Sequence, residues 1–259
     1  MKNSIADISL LIQPSLRSIA YLRVFESLGL VPAEVILLEG AIGNMGELRI
    51  EDARYGYSTD FFKIDPDILD LLDGACSVVR VASRDINSGL VHEALSKCIT
   101  KDIIFSASGI LAREAFSLGK RFIHVHPGSL PHYRGSTCFY YSLLERGLVG
   151  STAFFMDEQI DTGEIIAASE FSVNYAIQQG QRFFMDYILD PHIRSMTLKK
   201  VLAAYLEKDN IPSYPQPPSE RPTYYIMHPL LRRLATDSLV HNYDATRPAG
   251  IFELGKPTV

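Results

Sequence analysis

Residues 122–135 read FIHVHPGSLPHYRG. Phe122, Ile123 and Val125 favour a strand, and Pro127 cannot continue a hydrogen-bonded ladder, so the strand is expected to stop at the histidines. Side chains alternate across a strand, which puts His124 and His126 on one face and Val125 on the other. Gly128, Pro131 and Gly135 then punctuate a tight loop. Further on, GSTAFFMDEQIDTGEII at 150–166 carries another apolar strand and then Asp161-Thr162-Gly163. A parallel sheet can gather such a pair of imidazoles and a carboxylate at its open rim. Ligands in these sheets bind beyond the carboxyl ends of the strands.

Outward from this stretch, apolar runs of strand length alternate with segments of helical period, the pattern of a βαβ sheet with helices on both faces. The expected strands are Ile8 to Ile12, Ala33 to Leu38, Ser77 to Ala82, Asp102 to Ser106, Arg121 to His124, Ser151 to Met156 and Ile165 to Val173. Ser15 caps a helix running to Leu28, where Gly29 stops it. Further helices are expected over Pro66 to Leu72, Leu90 to Cys98, Leu111 to Leu118, Ser136 to Arg146 and His228 to Ala235. Another spans Gln181 to Leu206, with a kink or a break after Asp190 forced by Pro191. The Gly- and charge-rich stretch from Glu39 to Lys63 reads as irregular. The fold class is therefore α/β and Rossmann-like, with a twisted, mostly parallel sheet. Residues 1–207 form the main domain. Residues 208–259, which open on the Pro-rich SYPQPPSERPTYY, form a C-terminal extension packed on it or serving an oligomer contact.

The first strand-to-helix turn, Gln13-Pro14-Ser15-Leu16-Arg17-Ser18, lacks Gly-x-Gly-x-x-Gly, which argues against an ordinary dinucleotide site. A formal net charge of −5 leaves no electrostatic footprint for nucleic acid or an anionic membrane. Cys76, Cys98 and Cys138 are widely spaced, with no Cys-x-x-Cys, so free thiols are expected rather than a disulfide framework. The opening MKNSIADIS has no secretory core, and no apolar run is long enough to cross a bilayer, which makes the cytoplasm the expected compartment.

His124, His126 and Asp161 are the candidate catalytic residues. A carboxylate beside an imidazole favours its protonated form and fixes its tautomer, which suits a proton shuttle. An imidazole N–H can also donate to an oxyanion. The plainer alternative is a pair of satisfied loop or core histidines, which the Pro/Gly loop and downstream Asp-Thr-Gly make less apt. A His-x-His zinc site with Asp161 as third ligand is a further alternative, but no other His or Cys stands at ligand spacing.

HVHPGSLPHYRG followed by GSTAFFMDEQIDTGEII resembles the catalytic core of the 10-formyltetrahydrofolate-dependent formyltransferases, whose motif reads Asn-x-His-Pro-x-x-Leu-Pro with a later Asp. The resemblance implies formyl transfer from 10-formyltetrahydrofolate to a primary amine of a small metabolite, with a nucleotide-linked amino sugar the leading acceptor. His126 takes the place of the family histidine and Asp161 that of the aspartate. His124 stands where the family has asparagine, a departure that bears on the oxyanion donor. Ser106, Ala107, Ser108, Gly109, Ile110 and Leu111, with Asp157 and Gln159 in the second loop, correspond to the folate site. Tyr133 and Arg134 are candidate substrate contacts, with loop anchoring as the alternative. Two other outcomes keep the same fold: hydrolysis of the folate donor, or a weakly active or inactive ligand-binding homologue. A homodimer is the expected assembly if the extension mediates one.

Overall fold

Strand-length apolar runs and the helices between them resolve into one eight-stranded sheet in the computed structural model, which describes residues 4–64, 76–178 and 180–254. In chain order the first half is β1 (Ser4–Ala6), β2 (Ile8–Ile12), α1 (Leu16–Ser27), β3 (Leu30–Pro32), β4 (Glu34–Leu38), α2 (Met45–Tyr55), α3 (Tyr57–Asp60), β5 (Ser77–Val81), α4 (Gly89–Lys97), β6 (Asp102–Ser106) and α5 (Arg113–Phe116). Then come β7 (Arg121–His126), β8 (Arg134–Gly135), α6 (Cys138–Arg146), β9 (Val149–Phe155), β10 (Ile165–Asn174), a π-helical turn (Phe184–Leu189), α7 (Asp190–Lys208), β11 (Thr223–Tyr224), α8 (Pro229–His241) and β12 (Gly250–Glu253).

The main sheet runs β12-β10-β9-β7-β6-β2-β4-β5. β5, β4, β2, β6 and β7 are mutually parallel, whereas β9, β10 and β12 add antiparallel strands at one side. The connections reverse direction between β2 and β6, which makes the crevice above those two strands the topological switch point. Every residue of β2, ISLLI, is buried, as expected of a strand covered on both faces. One face packs Leu10 and Ile12 against Ile19 of α1 and Leu198 and Leu202 of α7. The other packs Leu11, Ile103 and Phe105 against Val91 and Leu95 of α4.

Several expectations shift in detail. Residues 39–63, read as irregular, contain α2 and α3. Only Leu48 and Glu51 of α2 are buried, so an apolar stripe is nearly absent; left-handed Asn44 and Gly56 bound the helix instead. The Leu111–Leu118 helix shrinks to Arg113–Phe116, and β7 continues two residues further than expected, to His126. Pro191 sits in the first turn of α7, directly after the π-helical turn, where a missing N–H costs little. The helix expected over Pro66 to Leu72 lies outside the described residues. The tail re-enters the fold: β12 pairs with β10, and α8 packs on α6.

Candidate active site

The two histidines of β7 reach the sheet's rim side by side, with ring centroids 6.4 Å apart. His124 is wedged edge-on between Phe105 at 5.8 Å and Phe154 at 5.9 Å, one from each neighbouring strand. Its Nδ1 is buried without a hydrogen-bond partner. Burial, then the charges of Arg194 and Arg17, push the His124 imidazole well below its ordinary pKa. At neutral pH it is an uncharged donor of one N–H.

His126 is only 2% exposed. Its Nε2 lies 2.8 Å from the backbone carbonyl of Tyr133, and its Nδ1 3.4 Å from Oδ2 of Asp161. A carbonyl can only accept, so the ring proton of neutral His126 belongs on Nε2, leaving the Nδ1 lone pair free. The tautomer is thus set by the Tyr133 carbonyl rather than by Asp161. Burial is also the largest influence on the His126 pKa and lowers it, with the Asp161 charge opposing. The resting imidazole is neutral, against the expectation that the carboxylate would hold it protonated.

Asp161 is held by its own backbone. It sits at φ 57°, its Oδ2 accepts from the Gly135 amide at 2.7 Å, and its carbonyl accepts from Gln216 at 3.0 Å. The preceding turn is tied by Asp157, which accepts from the Gln159 amide at 3.0 Å and the Thr162 hydroxyl at 2.7 Å. A Cβ on Gly163 would fall on the Phe155 carbonyl oxygen. Gly163→Ala should therefore displace the Asp161 turn and cost about 1–3 kcal/mol of stability, measured by urea unfolding. Wild-type stability in that variant would show that the turn relaxes freely.

These side chains line one cavity of about 540 Å³. Ala107, Ser108, Gly109, Ile110 and Leu111 form one wall, and Asp157, Gln159, Ile160 and Asp161 another. Ser106 is not in the wall: its hydroxyl pairs with Ser18 at 3.0 Å. Nor do Tyr133 and Arg134 line this cavity. Tyr133 is buried, stacks on Tyr224, donates to Glu145 at 2.8 Å and borders a second cavity of about 810 Å³; Arg134 reaches only the Ser219 carbonyl. Their side chains are engaged in these loop contacts. Among the described residues no three His, Cys, Asp or Glu side chains are placed to share a metal ion, and no helix is long and apolar enough to cross a membrane.

Sequence reasoning missed two groups. Arg17 and Arg194 enter the cavity from α1 and α7, helices whose sequences hold no motif for it. Thr223, Tyr224, Tyr225 and Ile226 also line it, because β11 pairs with β8 and the Ser136 amide donates to the Tyr224 carbonyl. Gly135, at φ 101°, admits that close approach, since a Cβ there would strike the Tyr224 carbonyl.

The profile of the formyl transferase family matches residues 109–181, the segment holding both histidines, Asp161 and one cavity wall. Over that segment the chain is similar to the formyl transferases. Methionyl-tRNA formyltransferases from Nitratiruptor sp. and Desulforamulus reducens are 38% and 33% identical over 84 and 85 residues. Each alignment covers 32% of this chain but only 28% and 26% of those relatives. The formyltransferase fold extends further than the sequence match. A sugar N-formyltransferase from a Shewanella species superposes over 90% of this chain and 87% of its own, with a TM-score of 0.52 at 14% identity. A 4-N formyltransferase from Francisella tularensis covers 100% of both chains, with a TM-score of 0.51 at 13% identity.

Three imidazoles shielded wholly or in part from solvent make the fold acid-sensitive. Burial pushes His192 down to about 4 and lowers His124 and His126 as well. Between the folded and unfolded values the unfolded chain binds more protons, so stability rises with pH. It is fully present above about 6.5 and is lost as pH falls, through about 4 for His192. The His192 contribution is roughly 3 kcal/mol at most, at 1.36 kcal/mol per pKa unit. His192→Phe should flatten the decline of the unfolding midpoint between pH 6.5 and 4. An unchanged decline would remove His192 as its source.

Proposed function

We propose that this chain transfers a formyl group from 10-formyltetrahydrofolate to a primary amine of a small metabolite. The observation that carries the reading is the convergence of His124, His126 and Asp161 on one cavity, opposite the wall 107–111. The cavity is of donor size, within the roughly 300–1,000 Å³ of small-molecule sites. Its apolar surfaces, Ile110, Met156 and Ile160, suit a flat heteroaromatic ring. The bound donor supplies an activated formyl carbon.

The remaining chemistry falls to this chain's own groups. As the amine nitrogen bonds to the formyl carbon, negative charge develops on the formyl oxygen, and His124 donates to it. Nδ1 of His126 accepts the proton the amine loses. Asp161, 3.4 Å away, stabilises the imidazolium that results. Breaking of the bond to the departing nitrogen takes the proton back from His126 and restores the resting state. The aromatic rings around His124 exclude water, which strengthens its hydrogen bond.

An amide could fill the place of His124, as the family's asparagine does. His124→Ala should slow transfer by about 10², the scale for loss of one oxyanion donor. His124→Asn should keep most of the rate by restoring an N–H. Equal collapse of both variants would mean that the imidazole has a different task. The reading itself is tested by incubating the chain with 10-formyltetrahydrofolate and a panel of amines, nucleotide-linked amino sugars among them, while following tetrahydrofolate release. Amine-dependent release is expected. Release at the same rate without amine would indicate hydrolysis, and no release at all would refute both.

A further inference from the structure

The crevice at the sheet's switch point holds a cation with no ion-pair partner among the described carboxylates; the charge of Asp190, already paired with Arg194, reaches it only weakly. Arg17, in the first turn of α1, leans from β2 across to β6. Its Nη2 donates to the Ala107 carbonyl at 2.6 Å and its Nε reaches the Ser106 hydroxyl at 3.3 Å. It forms no ion pair with any described carboxylate, and its Nη1 has no partner among the described residues, yet the side chain lines the cavity. The second arginine there differs. Arg194 pairs with Asp190 at 3.0 Å and donates to the Val125 carbonyl at 3.1 Å.

The acids of the cavity are already committed. Asp161 is held by Gly135 and His126, Asp157 by Gln159 and Thr162, and Glu158 by Arg113 at the rim. None is available to Arg17. A partly buried guanidinium beside a second one is costly unless an anion completes it. The fork geometry of Arg suits a carboxylate or phosphate.

We propose that Arg17 binds an oxyanion group, carboxylate or phosphate, carried by the amine acceptor. The idea deepens the formyl-transfer reading and rests on it for the identity of the amine. Phe105 pairs with His124 across β6 and β7, and Ala107 lies two residues beyond Phe105. One strand spacing sideways and two residues forward put the backbone of Ala107, whose carbonyl the guanidinium holds, about 8 Å from that of His124. The acceptor is therefore an amine whose anionic group lies within that distance of its nitrogen: an amino acid, an aminoalkyl phosphate, or an amino sugar phosphorylated across one ring. Binding would also relieve the repulsion between Arg17 and Arg194, which contributes to lowering the Arg17 pKa.

Two arms test this on the full chain. Calorimetry with inorganic phosphate and with acetate should detect binding of at least one of them. Arg17→Gln should weaken it about tenfold or more, and Arg17→Lys should retain part of it. Kinetics would then compare paired amines, an amino carboxylate with its amide and an aminoalkyl phosphate with its alcohol. For the anionic member Arg17→Gln should raise KM about tenfold and leave kcat within roughly threefold; the uncharged member should respond little. Wild-type anion binding by Arg17→Gln would overturn the proposal, as would no binding by wild type. An equal effect on both members of each pair would likewise show that Arg17 only braces Ser106 and Ala107. If no amine is formylated, the transfer reading fails, while the calorimetry still decides whether Arg17 binds an anion. Should Arg17→Gln fail to fold, Arg17→Lys decides: weakened anion binding with a KM rise confined to the anionic member of each pair supports the proposal, and unchanged anion binding or KM shifts equal for charged and uncharged amines overturn it.

Discussion

His126→Ala is expected to slow the proposed formyl transfer by about 10² or more, the scale of positioned acid–base catalysis. The expectation rests on one geometric fact. The Tyr133 carbonyl occupies Nε2 at 2.8 Å, so Nδ1 is the nitrogen free to take a proton inside the cavity. No neighbouring side chain duplicates that lone pair: His124 lies 6.4 Å away ring to ring, and its pKa is lowered further. Asp161→Asn gives the companion result. An amide oxygen can still accept from the Gly135 amide, so the loop stays, but the charge that steadies the imidazolium is gone. A loss of roughly 10–10² in kcat with little change in KM is expected, smaller than for His126→Ala. Wild-type kcat in His126→Ala would take the proton transfer away from this residue altogether.

The second large effect is on stability. Arg194 is 9% exposed at its side chain and Asp190 18%, and the guanidinium also satisfies the Val125 carbonyl at the base of the site. Arg194→Met leaves a half-buried carboxylate and a buried carbonyl unpaired. Removing one partner of such a pair costs about 3 kcal/mol or more. Denaturant unfolding should show a lower midpoint with an unchanged slope. Asp190→Leu added to Arg194→Met should recover a large share of that loss, because the stranded charge leaves with its carboxylate. If Arg194→Met unfolds at the wild-type midpoint, the pair is not an internal brace.

What could be read in the sequence follows from how local the cause is. Pro127 and the alternation of β7 placed His124 and His126 together, and Gly163 marked the turn that presents Asp161. Both depend on a few adjacent residues. The change from π-helix to α-helix just before Pro191 falls where Pro191 marked an interruption, although the chain stays helical through it. The second helix was not, since only Leu48 and Glu51 of Met45–Tyr55 face inward and its ends rely on left-handed Asn44 and Gly56. Arg17 and Arg194 were invisible because their role depends on α1 and α7 packing over one face of the sheet. Their sequence neighbours record only helix. The Tyr133 carbonyl was hidden more deeply, for a backbone atom leaves no residue-type signature. The tail's contribution depends on a long-range pairing, Thr223 and Tyr224 with Arg134 and Gly135, which only the folded chain creates.

The protonation state of His126 bears most directly on this account. Nitrogen-15 NMR of histidine-labelled protein at neutral pH should find the ring uncharged, with its proton on Nε2 and Nδ1 bare. A ring already carrying protons on both nitrogens at pH 7 would contradict the account, because His126 could then not accept the amine's proton.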